Sequence, residues 1–165
     1  MNILLLEDDD NWAKRIEARL KDAFPGATIT LCGTEWSFRK LLENRPLPVL
    51  DAAIFDIMVR WADYHQIMEH KAMEDVPSEV EGEFEGREKW RAGVRCRKLL
   101  AGTYRTCGLQ DIPCVYFTVL DQDDLKNDLG EEDTLTPVIH KFGDGREAGL
   151  SGLVDALKQR LPQTV

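Results

Sequence analysis

Residues 3–12 read ILLLEDDDNW, four apolar side chains followed without a break by four acids. A continuous apolar run bounded by polar residues reads as a strand buried on both faces. Charge crowded onto the end of such a strand needs a reason. Further on, Trp12, Ile16, Leu20 and Phe24 recur at every fourth position with Ala13 beside them. That is one face of a helix over about 10–23. Asp9, Asp10 or Asn11 caps it, and Pro25-Gly26 stops it. The acidic run therefore has two jobs, and only part of it belongs to the helix.

The same rhythm continues along the chain. Residues 27–32 alternate threonines with apolar side chains and read as a second strand. Thr34 caps a helix carrying Trp36, Phe38, Leu41 and Leu42, closed by Pro46 and Pro48. VLDAAIFDI at 49–57 is a third strand and IPCVYFTVL at 112–120 a fourth. TPVIHK at 136–141 is a shorter fifth. Helical spacing returns near Trp90 with Val94, Leu99 and Leu100, and again at Leu150, Leu153, Val154, Leu157 and Leu161. Strand and helix in alternation imply an α/β fold, a parallel sheet with helices on both faces. Five strands fit a flavodoxin-like doubly wound sheet in the order 2-1-3-4-5.

Composition narrows the function. A chain of 165 residues suits one domain. Thirty acids against 21 bases give a net charge of −9, which argues against a nucleic-acid backbone or an anionic membrane as partner. The four cysteines, Cys32, Cys96, Cys107 and Cys114, form no CxxC pair and match no zinc spacing. Cys32 and Cys114 sit in apolar runs and read as core. A reduced, cytoplasmic chain is expected, with no signal peptide or membrane span. After the last helix only 162–165 remain, so no output domain is expected.

In an open parallel sheet, ligands bind beyond the carboxyl ends of the strands where strand order reverses. With the order 2-1-3-4-5, strands one and three meet there. Glu7 and Asp8 end strand one and Asp56 ends strand three, which places three carboxylates in one cleft. Two like charges about 4 Å apart at an effective dielectric near 20 repel by roughly 4 kcal/mol, or about three pKa units. Either a carboxylate stays protonated or a cation sits among them, and oxygen-only ligands favour Mg2+. Thr118 at the end of strand four offers a hydroxyl, and Lys141 at the end of strand five an ammonium. A carboxylate nucleophile, a divalent ion, a hydroxyl and an ammonium form a phosphoryl-transfer set, with Asp56 the nucleophile. Any one of these residues alone is unremarkable at a strand end. The joint placement at four strand ends is the signal.

These pieces, ILLLEDD at 3–9, AAIFDIM at 52–58, IPCVYFT at 112–118 and VIHKF at 138–142, resemble the receiver domain of two-component response regulators. The resemblance covers nearly the whole chain apart from about 59–88, an inserted segment within a single receiver-like domain. It implies that Asp56 is the phosphoacceptor, Asp8 a direct Mg2+ ligand, and Glu7 an acid reaching the metal through water. It implies a third metal ligand in the Met58 backbone carbonyl, a switch hydroxyl in Thr118 and a pairing ammonium in Lys141. A histidine kinase or phosphotransfer protein, or a small phosphodonor, would supply the phosphoryl group. The receiver would catalyse its own phosphorylation and dephosphorylation and switch a protein-binding face toward an unknown downstream protein.

Three positions depart from the family pattern. The residue after the switch threonine is usually small and is here Val119, stiff at its β-branch. The proline after the lysine is replaced by Phe142, for which the usual cis bond would cost about 2.5–4 kcal/mol. The aromatic switch position of strand five falls on Val138. These departures favour an alternative, a degenerate receiver acting as a phosphorylation-independent protein-binding scaffold; the intact acids, Thr118 and Lys141 oppose it. A phosphatase of the haloacid-dehalogenase type, with its nucleophile at Asp8 of a DxD, is the enzyme-class rival, but the small and hydroxyl residues that follow such a motif are absent.

The segment at 59–88 holds nine acids, three bases and two of the three histidines, without a sustained apolar period. VRWADYHQIMEHKAMED is expected to form a helix with Trp61, Tyr64, Ile67, Met68 and Ala72 on one side. EVEGEFEGRE reads as loop or weak hairpin. His65, Glu69 and His70 match no strong metal motif. Emerging directly after Asp56, the segment reads as a solvated excursion with a small apolar cluster, or as a lid or docking surface.

Overall fold

The computed structural model describes residues 1–63, 65–66, 76, 91–109, 111–120, 122–125, 129 and 136–161. In chain order the elements are β1 (Asn2–Leu6), α1 (Asp10–Ala23), β2 (Thr28–Cys32), α2 (Glu35–Glu43) and β3 (Ala52–Phe55). They are followed by α3 (Ala92–Thr106), β4 (Cys114–Thr118), α4 (Gln122–Leu125), β5 (Val138–His140) and α5 (Arg146–Arg160). The strands form one five-stranded sheet in the order β2-β1-β3-β4-β5, with every neighbouring pair parallel. The order expected from alternation and strand count is the order observed.

Each strand splits its side chains between two helical layers. Leu4, Leu6, Phe55 and Tyr116 pack under α2 and α3 with Phe38, Leu42, Leu100 and Tyr104. Ile3, Leu5, Ile54, Val115 and Phe117 pack under α1 and α5 with Ile16, Leu20, Leu153 and Leu157. Burial on both faces is why β1 and β3 read as unbroken apolar runs instead of alternating ones. The observed strands are shorter than the apolar runs. Val49 is 77% exposed, and Asp51 fixes the start of β3, its N–H donating to Asn2 O and its Oδ2 accepting from Asn2 N–H.

The expected helix over the post-β3 segment is corrected at its beginning. Residues 59–63 are not helical, although 65–66 are. Glu35 N–H donates to Arg60 O and Trp36 N–H to Trp61 O, at 3.1 and 2.8 Å. The chain leaving Asp56 thus satisfies the free donors at the N-terminus of α2 instead of starting its own helix. Trp61 and Ala62 are buried there with Trp36 and Val76 packed on them, the small apolar cluster the sequence suggested. Tyr64, Ile67, Met68, Glu69, His70, Ala72, EVEGEFEGRE and Trp90 lie outside the described residues.

Candidate functional site

Strand register brings the acids together. Leu6 pairs with Phe55 across β1 and β3, so Glu7 and Asp56 are the next residues out, and Asp56 N–H donates to Leu6 O at 2.9 Å. One carboxylate oxygen from each of Glu7, Asp8 and Asp56 lies within 4.8 Å of the others. Asp9 is otherwise engaged: its side chain accepts from Asn11 and Trp12 N–H at 2.8 and 3.0 Å and caps α1. Asp10 opens the helix, where its charge suits the dipole. The acidic run divides after Asp8, two residues to the cleft and two to the helix.

Three carboxylates in a largely buried cluster require compensation. Lys141 Nζ lies 2.7 Å from Asp56 Oδ2 and 2.6 Å from Glu7 Oε2, and all three residues are at most 5% exposed. The Asp56 contact is a hydrogen bond. The Glu7 contact is a close ion pair, and Glu7 Oε1 also accepts Asp9 N–H at 3.2 Å. Burial first, and the Asp56 charge second, push the Glu7 carboxyl up to about 8 against the pull of Lys141. Burial works to lower Lys141, but Asp56 and Glu7 outweigh it and hold its ammonium above its ordinary value.

A second cation completes the balance. Arg60 Nε lies 3.1 Å from Asp8 Oδ2, and Nη2 donates to Asp8 O at 3.4 Å. Two cations thus face three acids, and Glu7 is the acid that burial and the Asp56 charge hold toward its neutral form. An all-oxygen donor set of three carboxylates within 4.8 Å, with more acids than cations, fits a hard divalent cation. Met58 follows two residues after Asp56, and its N–H donates to Asp56 Oδ1 at 3.3 Å.

Thr118 ends β4 and is fully buried. Its Oγ1 accepts from Leu120 N–H at 3.4 Å, and its carbonyl accepts Lys141 N–H at 2.8 Å. Val119 beside it is 39% exposed. Phe142 stacks edge-on against Trp12 with centroids 5.7 Å apart, and Trp12 meets Phe117 the same way. Lys141 Nζ sits 5.6 Å from the Trp12 ring centroid, so an aromatic wall backs the ammonium on that side.

The Lys141–Phe142 bond is trans, and His140 holds the turn instead. Its Nδ1 accepts from Phe142 and Gly143 N–H, each at 3.2 Å, and its Nε2 lies 2.9 Å from Val119 O. With Nδ1 accepting twice, the proton belongs on Nε2, which donates to Val119 O. One side chain ties the end of β4 to the loop that aims Lys141. Asparagine places its carbonyl oxygen near the position of Nδ1, so His140→Asn is expected to keep the rate of Asp56 labelling by a small phosphodonor within about threefold. His140→Ala is expected to lower it by roughly tenfold, through two backbone donors that lose their acceptor and a turn that loses its tie to Val119. Equal rates in the two variants would remove His140 from the positioning of Lys141.

No protein-family model matches the chain, and no curated protein matches it. Solved structures do. The signal receiver domain of a DNA-binding response regulator from Colwellia psychrerythraea 34H superposes with a TM-score of 0.56 at 20% identity, covering 96% of each chain. The fold is that of a response-regulator receiver domain. The Mn(2+)-bound form of response regulator Rcp1 matches this receiver fold with a TM-score of 0.59 at 14% identity, over 99% of this chain and 96% of that one. The phosphorylated cyanobacterial phytochrome response regulator RcpA matches at 0.55 and 16% identity, over 96% and 89%.

Glu7, Asp8, Asp56 and Lys141 are in one cluster, and Thr118 is joined to it through the backbone of Lys141. Arg60, His140 and Trp12 are the neighbours that the sequence did not single out. Arg60 was the most visible of them, a base four residues past Asp56 at the head of an acidic segment. Its partner is 52 residues away in sequence, which no local pattern reveals. Among the described residues no helix is long and apolar enough to cross a membrane.

Proposed function

We propose that this chain is a Mg2+-dependent phosphoacceptor of two-component signalling, one receiver unit with an inserted segment, and that Asp56 takes the phosphoryl group. The observation that carries this is the Asp56 carboxylate itself. One oxygen is held at 2.7 Å by a buried ammonium, and the group lies within 4.8 Å of two further carboxylates.

An Asp56 oxygen attacks phosphorus and forms the acyl phosphate. The bond from phosphorus to the donor breaks, and its electron pair leaves with the donor, an imidazole nitrogen of a phosphohistidine or the carboxylate oxygen of acetyl phosphate. Glu7, Asp8, Asp56 and the Met58 carbonyl would hold Mg2+, whose charge would offset that of the transferring group. Lys141 keeps Asp56 oriented and then pairs with the phosphoryl oxygens. The Thr118 hydroxyl donates to one of those oxygens, and its inward movement is the switch that changes the protein-binding face at β5 and α5. Water later cleaves the acyl phosphate and restores Asp56. Phosphate donors would be a histidine kinase, a phosphotransfer protein or a small phosphodonor, in the cytoplasm.

The output face differs from the pattern that the resemblance implies. Val138 lies opposite Tyr116 in the sheet and packs half-buried on the α2–α3 side of the core. It has no ring to swing between surface and interior, so Thr118 movement acts through packing of the β4–β5 ends. Beryllofluoride, a phosphoryl mimic, is expected to give a protein-bound fluorine resonance with wild type and Mg2+. None is expected with Asp56→Asn or after chelation. A wild type that never forms the adduct would favour the phosphorylation-independent scaffold.

A further inference from the structure

Arg60 occupies a place that the proposed function assigns to a metal. Asp8 is the carboxylate expected to bind Mg2+ directly, yet its Oδ2 carries the Arg60 guanidinium at 3.1 Å. We propose that Arg60 is a tethered competitor of the divalent cation: its guanidinium closes on Asp8 when the metal is absent and must leave when the metal binds. This deepens the phosphoacceptor reading and rests on it.

Charge makes the two states exclusive. Lys141 and a divalent ion together neutralise Glu7, Asp8 and Asp56. A guanidinium added to that set becomes surplus positive charge in a buried cluster. Without the ion, Lys141 reaches Glu7 and Asp56 but not Asp8, and the guanidinium is the positive charge that meets Asp8. The pair is not an ordinary surface ion pair, since the Asp8 side chain is 3% exposed while that of Arg60 is 41% exposed. The Asp8 side chain has little contact with water, and the exposed Arg60 can swing out. A cleft of about 430 Å³ lined by Asp8, Asp9, Asn11, Thr34, Arg60 and Asp63 lies beside the pair and gives the guanidinium room to move.

The backbone that presents Arg60 is anchored. Its carbonyl accepts Glu35 N–H, and Trp61 O accepts Trp36 N–H. Glu35 is fully buried between Arg39 and Arg95, with contacts of 2.8 and 3.0 Å, and the Arg39 guanidinium lies over the Trp61 ring at 5.4 Å. Gln66 adds a staple, with Thr34 Oγ1 donating to its Oε1 at 3.1 Å and Asp63 N–H to the same oxygen at 2.9 Å. A fixed backbone therefore carries a mobile charged tip.

The test is calorimetric titration of the full chain with Mg2+, comparing wild type, Arg60→Gln, Arg60→Lys and Asp8→Asn. If the pair is closed about 80–90% of the time, apparent affinity is reduced five- to tenfold. Arg60→Gln is then expected to bind Mg2+ roughly five- to tenfold more tightly, with Arg60→Lys in between and Asp8→Asn giving little or no binding. In wild type, the Arg60 Nε–H resonance is expected to be protected without metal and to lose that protection at saturating Mg2+, a readout that needs no variant. An Arg60→Gln affinity within twofold of wild type, or an Nε–H signal unmoved by Mg2+, overturns the proposal and leaves the phosphoacceptor reading standing. Absence of Mg2+ binding in wild type and Arg60→Gln alike overturns the metal reading itself, and the competitor with it.

Discussion

Gly93→Ala is expected to lower stability by about 1–3 kcal/mol, with a larger loss in the ability of Asp56 to be modified. Gly93 lies in the first turn of α3, which presses on the backbone leaving β3. A Cβ there would sit 2.1 Å from Asp56 O, 2.7 Å from its carbonyl carbon and 2.8 Å from Ile57 Cα. All three are backbone atoms, so no side chain can turn aside to make room. Gly149 repeats the arrangement at the other functional strand end: its Cβ would lie 2.3 Å from Lys141 O and 2.8 Å from His140 O. The first turns of two helices thus fix the carbonyls of Asp56 and Lys141. Gly102, in the middle of α3, meets nothing within 4 Å. Gly102→Ala is therefore expected to stabilise by about 0.5–1 kcal/mol through helix propensity alone. Urea unfolding of Gly93→Ala and Gly102→Ala separates steric contact at the site from the general cost of helical glycine.

Lys141→Met is expected to have the second large effect, a loss of about 3–5 kcal/mol in Mg2+-free buffer. The substitution keeps the length of the side chain and removes the one charge that both Glu7 and Asp56 touch. Two buried carboxylates are then left facing an apolar group, and the folded state must take up a proton or open to water. Added Mg2+ is expected to restore part of the loss in Lys141→Met, because an ion that binds only the folded protein stabilises it by mass action. Glu7→Gln shifts stability the other way, since it removes a carboxyl that burial and the Asp56 charge push up to about 8. Urea midpoints with and without Mg2+ check both. A Lys141→Met protein as stable as wild type without metal would mean that the acids do not share that ammonium.

The fold was legible because it depends on periodicity. Apolar runs at β1, β3 and β4 and helical spacing in α1 and α5 announced the alternation, and the acids at the end of β1 announced the open end of the sheet. Glu7, Asp8 and Asp56 followed from strand order, because β1 and β3 are neighbours; Lys141 follows β5, two strands from β3, and reaches Asp56 by the length of its side chain. Contacts governed by long-range shape were not legible. Gly93 and Gly149 look like ordinary weak points in helices until the backbone they touch is known. His140 compensates for the absent proline through three backbone groups that only the folded turn brings within reach. The helix expected around Trp61 failed for a related reason: the N-terminus of α2 has free donors, and the carbonyls of Arg60 and Trp61 satisfy them. The short α4 has too few residues to show any period.

The central claim is that the carboxylates at the ends of β1 and β3 trap a divalent ion beside a reactive oxygen of Asp56. Incubation with acetyl phosphate, followed by borohydride reduction and peptide mass spectrometry, tests it most directly. Homoserine, the product of reducing an aspartyl phosphate, is expected at position 56 in wild type with Mg2+, and none there after chelation or in Asp56→Asn. Modification at Asp8, or labelling of Asp56 that proceeds equally well without a divalent ion, would contradict it.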